Sequence, residues 1–249
     1  MSGGELLPQD QSPKDPVRFL KKRYYFCEQG VIVKPHERYI PALVQLYGLG
    51  ERKERATPDI AIDRLEGEVV DQAEKKRFRS ALGTLLYLSQ DRPDVQNSVR
   101  NLAQFTSNPT KEAVKGIQHL ILYLKGTESY GILLPYVRKD FSKLNELYDK
   151  RNEVEDGHVL ECFTDSDWAG DRSSEKHKRH STSSVMIFVD KGLVQSWSRT
   201  QKSICLSSCE AELTACVGGV AEALHLAEVW RFLCQETCKV VAVTDSSSC

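Results

Sequence analysis

The sequence predicts a mixed α/β protein (α+β in its segregation): a small helical segment, then a mixed sheet with one helix packed on it. Three observations predict it. Apolar residues recur with helical period between residues 78 and 124, and strand-like runs take over after His158. A long helical run, Ser207 to about Leu233, then separates those strands from one more. Strand–strand–strand–helix–strand is the order that gives a mixed sheet carrying a helix on one face.

Taken in order, residues 1–16 are rich in Pro, Gly, Gln and Asp and read as a disordered lead-in. Residues 17–134 form the first structured region. Within it Gly30-Val31-Ile32-Val33 reads as a short strand, and Tyr39 to Leu49 as a helix with Pro41 in its first turn. Residues 50–71 are charged and irregular. Phe78, Ala81, Leu82, Leu85 and Leu86 then line up one apolar stripe. Pro93 opens a second helix carrying Val95, Val99, Leu102 and Ala103, which Asn108-Pro109 breaks. Thr110 caps a third, with Val114, Ile117, Ile121 and Leu124 inward and Gly126 at its end. Residues 135–158 are strongly charged without a period and read as a linker.

Residues 159–249 form the second region. Val159 to Asp165, Ser184 to Val189 and Val194 to Trp197 read as strands, with Asp190-Lys191-Gly192 turning between the last two. Val240 to Thr244 is the final strand.

The composition limits function. The chain has 249 residues, 40% hydrophobic and 28% charged, with a formal net charge of −1. Such a chain carries one or two globular cores and binds nucleic acid only through local patches, not bulk charge. No apolar run approaches the roughly 20 residues of a membrane span. The start, Met1-Ser2-Gly3-Gly4-Glu5, has neither a basic nor an apolar signal region, so the expectation is an intracellular protein, cytoplasmic or nuclear, with reduced cysteines and no membrane contact. Cys205/Cys209 and Cys234/Cys238 are helically spaced pairs, not zinc-ribbon knuckles, and no cysteine has a base partner at a recognisable spacing.

The candidate chemistry lies in carboxylates at element ends. Asp165 closes the first strand of the second region and Asp245 follows the last. If those strands are neighbours, both emerge at one edge of the sheet. The helix between offers Glu210 or Glu212, about 200° apart around the helix, so only one can face the sheet. Glu212 shares its face with Ala215, Cys216, Gly219 and Ala223, whose small side chains permit close approach. Glu210 fits solvent or a capping role. Three converging carboxylates repel unless a hard cation neutralises them, and magnesium suits such an all-oxygen set. Acidic residues at strand ends and in first helical turns are also ordinary. Asp167 is either a further ligand or part of the turn with Trp168-Ala169-Gly170. The basic run around Lys178 and Arg179, with Ser181 and Thr182 after it, either contacts backbone phosphates or is a solvated approach to the next strand.

These residues resemble a known family. Thr164-Asp165-Ser166-Asp167-Trp168-Ala169-Gly170, Ser181-Thr182-Ser183, Ser196-Trp197-Ser198 and Leu206-Ser207-Ser208-Cys209-Glu210-Ala211-Glu212-Leu213 look like the ribonuclease H domain of copia-type retrotransposon Pol polyproteins. Phe78 to Leu88, Arg92-Pro93-Asp94 and Tyr123 to Thr127 are similar to that family's segment between the polymerase palm and the nuclease. The resemblance runs from about residue 19 to the end, with the motifs in family order. It implies a ribonuclease H-like fold preceded by a reverse transcriptase palm-end, thumb and connection segment. It further implies cleavage of the RNA strand of RNA–DNA hybrids with two Mg2+ ions, Mn2+ substituting. Position by position, the catalytic and metal-holding residues fall on Asp165, Glu212 and Asp245. The hybrid and the remainder of the Pol polyprotein are the implied partners. Three departures qualify this. A usual glycine is Ser184, there is no Tyr-x-Asp-Asp-type polymerase motif, and the sequence ends at Cys249 before the family's fourth acid, on a later helix, so the expectation is a C-terminally truncated ribonuclease H domain of impaired activity. The alternative expectation is therefore a non-catalytic remnant that binds nucleic acid without cutting it.

Overall fold

The computed structural model describes residues 16–60, 65–136, 157–170 and 179–246. The expected lead-in up to Asp15, most of the 135–158 linker, and Lys178 with the basic run before it lie outside them. The strands are β1 (Val17–Phe19), β2 (Lys22–Cys27), β3 (Gly30–Pro35), β4 (Ile132–Pro135), β5 (His158–Asp167), β6 (Thr182–Val189), β7 (Gly192–Thr200) and β8 (Cys238–Val243). The helices are α1 (Tyr39–Tyr47), α2 (Gln72–Leu88), α3 (Gln96–Ala103), α4 (Lys111–Gly126) and α5 (Ser208–Cys234). One sheet runs β1-β2-β3-β4 and the other β7-β6-β5-β8. Among the described residues the architecture is a mixed α/β one with two sheets and five helices.

The described chain divides into two compact units, the first holding residues 16–27, 32–60 and 65–132, the second 28–31, 133–136, 157–170 and 179–246. In the first, α1 to α4 share a core of Leu43, Phe78, Leu82, Leu85, Val95, Leu102, Ile117, Ile121 and Leu124. Asp71 caps α2 by accepting from the Glu74 N–H at 2.8 Å, and Thr110 caps α4 by accepting from Ala113 at 3.0 Å. Pro93 does open its element, as the first residue of a single 3-10 turn leading into α3.

Leu86 departs from the sequence reading. It is 47% exposed, because it lies about 40° past Leu82 around the helix, off the edge of a stripe that closes on Leu88 instead. The helical unit is further tied by Arg92, 2% exposed, which donates to both Asp94 oxygens, to the Thr127 carbonyl at 3.0 Å and to the Thr127 hydroxyl at 2.7 Å. Its guanidinium also lies over the Tyr123 and Tyr130 rings.

In the second unit, β5 and β6 pair antiparallel, as do β6 and β7, whereas β5 and β8 run parallel. β6 and β7 are joined by Asp190 and Lys191, with φ values of 47° and 72°. Positive φ at both central residues matches the right-handed twist of a two-residue hairpin. The α5 helix makes the crossover that a parallel pair requires. Its buried row is Ala211, Ala215, Gly219, Ala223 and Ala227, set against Leu160, Cys162, Val185 and Ile187 of the sheet. Small residues bring the helix close. A Cβ on Gly219 would stand 2.7 Å from the Thr164 methyl and 2.9 Å from the Cys162 sulfur.

Candidate metal centre and its relatives

The register of the parallel pair decides where the carboxylates go. Phe163 lies opposite Val243, and Asp165 and Asp245 each stand two residues beyond that pair. Two chain segments leaving adjacent strands in the same direction therefore carry their acids to the same edge. Glu212 comes from the second turn of α5, on the side that the small-residue row brings down to the sheet. One carboxylate oxygen from each of Asp165, Glu212 and Asp245 lies within 4.8 Å of the other two. Among the described residues this is the group of side chains so arranged that could share a metal ion.

Glu212 is the half-buried member; Asp165 and Asp245 are exposed. Its Oε1 accepts the Ser166 backbone N–H at 3.3 Å, which links the helix to the strand beside Asp165. Its Oε2 is shielded from solvent and has no hydrogen-bond partner, and the Thr164 and Ser166 hydroxyls nearby are in the same condition. An orphaned carboxylate oxygen next to two further carboxylates fits a divalent cation, which supplies the missing partner and offsets the mutual repulsion.

Glu210 does cap the helix. Its Oε2 accepts the N–H of Leu206, the residue before the Ser207 cap, at 2.6 Å, while its own N–H donates to the Ser207 hydroxyl at 3.2 Å, a reciprocal cap close to a capping box. Asp167 is not part of the trio. Although β5 continues through it, its carboxylate turns back against the Gly170 backbone, where a Cβ would collide with it.

Comparison with known proteins adds kinship. The chain is 31% identical over 135 residues to the retrovirus-related Pol polyprotein from transposon RE1 of Arabidopsis thaliana, a stretch covering 54% of this chain and 8% of that one. It is 26% identical over 221 residues to the Pol polyprotein from transposon TNT 1-94 of Nicotiana tabacum, covering 85% of this chain and 15% of that one. Over these stretches the chain is similar to retrotransposon Pol polyproteins. A further relative, secreted RxLR effector protein 161 of Plasmopara viticola, is 31% identical over 150 residues, 60% of this chain and 90% of that protein. No family model and no solved structure matches. The chain spans 8% of the RE1 polyprotein and 15% of the TNT 1-94 one.

Elsewhere in this Pol relative, two of the expected nucleic-acid contacts are corrected. Ser181 is fully buried, its hydroxyl accepting the Ala169 N–H at 3.2 Å and its carbonyl the Gln201 N–H at 2.8 Å. Thr182 is likewise buried, paired in the sheet with Asp167 and Thr200. Both brace the turn after β5 and offer no hydroxyl to a phosphate. Arg179 is exposed, with φ of 72°. Sequence reasoning also missed Glu222. It accepts from Gln195 and, at 2.9 Å, from the Trp197 indole, and it pairs with Arg199 at 2.6 Å, holding β7 to α5. Its signal was Trp197, an indole N–H on a half-buried strand that needs an acceptor. Among the described residues, no helix is long and apolar enough to cross a membrane.

Proposed function

We propose that the second unit of this Pol polyprotein relative is a magnesium-dependent nuclease of the ribonuclease H type that hydrolyses the RNA strand of RNA–DNA hybrids. The convergence of Asp165, Glu212 and Asp245 within 4.8 Å supports this reading. The motif order shared with copia-type Pol sequences supports it further.

In this reading Asp165, Glu212 and Asp245 hold the divalent ions. The Ser166 N–H fixes Glu212 through Oε1, and Oε2, which has no hydrogen-bond partner, would be open to a divalent ion. When bound, a pair of magnesium ions supplies activation of water and neutralisation of the leaving oxygen in phosphodiester hydrolysis. The exposed edge at Asp165 and Asp245 leaves room for a phosphate backbone. Selection of RNA would come from 2′-hydroxyl contacts across the wide, shallow minor groove of the hybrid.

Incubation with a labelled hybrid and magnesium tests the proposal. Cleavage of the RNA strand is expected, and Asp165→Asn or Glu212→Gln abolishes it along with calorimetric Mn2+ binding. Cleavage that survives Asp165→Asn means the site is elsewhere.

A further inference from the structure

Three residues beyond Asp165 stands Trp168, 48% exposed, whereas Trp197 of β7 and Trp230 of α5 are half-buried against the core of the second unit. Its indole N–H is not available to a ligand. It donates to the Cys205 carbonyl at 3.1 Å. That anchor is rigid in turn. The buried Cys205 thiol donates to Gln201 Oε1 at 2.9 Å, and Gln201 Nε2 donates to the Ser183 hydroxyl and the Ala211 carbonyl, both at 2.9 Å. The turn presenting the ring is held as well, since Ala169 adopts φ of 53° and its N–H donates to the buried Ser181 hydroxyl. Ile204 and Leu206, 53% and 87% exposed, flank the carbonyl that receives the indole. The exposed indole is thus held in place between the strand end carrying Asp165 and the loop that enters α5 and Glu212.

A ring whose only polar atom is already satisfied offers its faces alone. A ligand for this place has an anionic part for a cation held by the carboxylates, joined directly to a flat, apolar part. A nucleotide unit has that construction. We propose that Trp168 is a substrate-positioning residue whose indole packs against the ribose and base edge of the nucleotide beside the scissile phosphate in a hybrid duplex. The proposal rests on the nuclease reading for its substrate, but its test reads binding and not cleavage.

The full chain is titrated with a short RNA–DNA hybrid in calcium instead of magnesium, following tryptophan emission. Saturable quenching is expected for the wild type. In Trp168→Phe the quenching disappears while binding, followed by a labelled hybrid, persists. Trp168→Ala weakens binding about tenfold, the scale of one aromatic contact to a nucleotide, with an unchanged thermal midpoint. Quenching that persists in Trp168→Phe, or Trp168→Ala binding within twofold of wild type, overturns the proposal. Equal quenching by single-stranded RNA overturns the duplex contact. A hybrid that binds and quenches Trp168 but is never cut in magnesium sinks the nuclease reading and leaves this one standing. No hybrid binding at all sinks both.

Discussion

Gly219 of α5 lies so close to Thr164 of β5 that a Cβ there would come within 2.7 Å of the threonine methyl. This contact sets the distance between the helix bearing Glu212 and the strand bearing Asp165. Gly219→Ala is expected to destabilise the second unit by about 1–3 kcal/mol through overpacking, and to lower metal affinity as the carboxylates separate. The adjacent Gly218 has no such constraint, its nearest contact being Trp197 at 3.8 Å. Gly218→Ala should therefore stabilise by about 0.5–1 kcal/mol through helix propensity. Urea denaturation of the pair gives opposite signs if the close approach governs.

The first unit depends on Arg92. Arg92→Ala takes four hydrogen bonds from Asp94 and Thr127, which keep the Tyr123 hydroxyl and the Tyr130 N–H respectively, and is expected to cost about 3 kcal/mol. Arg92→Lys should recover only part of this, since an ammonium lacks the planar fork that reaches Asp94 and Thr127 together. Denaturant midpoints of the three proteins test the order.

Burial pushes the Cys162 thiol up to about 11, with Cys216 and Glu222 adding to the effect, and burial likewise raises Cys238 to about 11. Both folded values lie above the ordinary thiol value of 9.0. The stability linked to these thiols is then fully present below about pH 9 and lost as pH rises toward 11. Thermal midpoints should decline from about pH 9 upward, and Cys162→Ala should make that decline shallower while lowering the neutral-pH midpoint. At pH 8 iodoacetamide should label the exposed Cys234 and spare Cys162 in the folded protein, as read by peptide mass spectrometry.

Ser207 caps α5 five residues before Glu212. Ser207→Ala removes the acceptor for the Glu210 N–H and should cost about 1 kcal/mol, whereas Ser207→Asp should retain the cap. A Ser207→Asp variant as unstable as Ser207→Ala would contradict the capping role.

Elements that bury a periodic face were legible in the sequence. Phe78, Ala81, Leu82 and Leu85 announce α2, and the Glu212–Ala215–Gly219–Ala223 row identified which side of α5 meets the sheet. The β1–β2 hairpin was not, because its turn is Leu20-Lys21, both at positive φ without the Asn or Gly that signals such a turn. The strand residues themselves are too mixed in polarity to alternate. At the candidate site, Asp165, Glu212 and Asp245 could be read because each sits at the end of a recognisable element. The reach of Asp167 could not, since it depends on the turn at Ala169 and Gly170. Ser181 and Thr182 misled because a hydroxyl beside a basic run reads alike whether it faces solvent or an amide of the next turn.

The parallel pairing of β5 with β8 has a consequence for the order of assembly. The β5, β6 and β7 strands pair in chain order, so that part of the sheet can form early from contacts of short sequence separation. The carboxylate trio exists only after α5 has crossed back and β8 has docked on β5, about 80 residues further along the chain. A nascent chain arrested before that step would hold the sheet's hairpins and still lack any place for a cation, so ion binding would report the final closure of the unit and not its initial collapse.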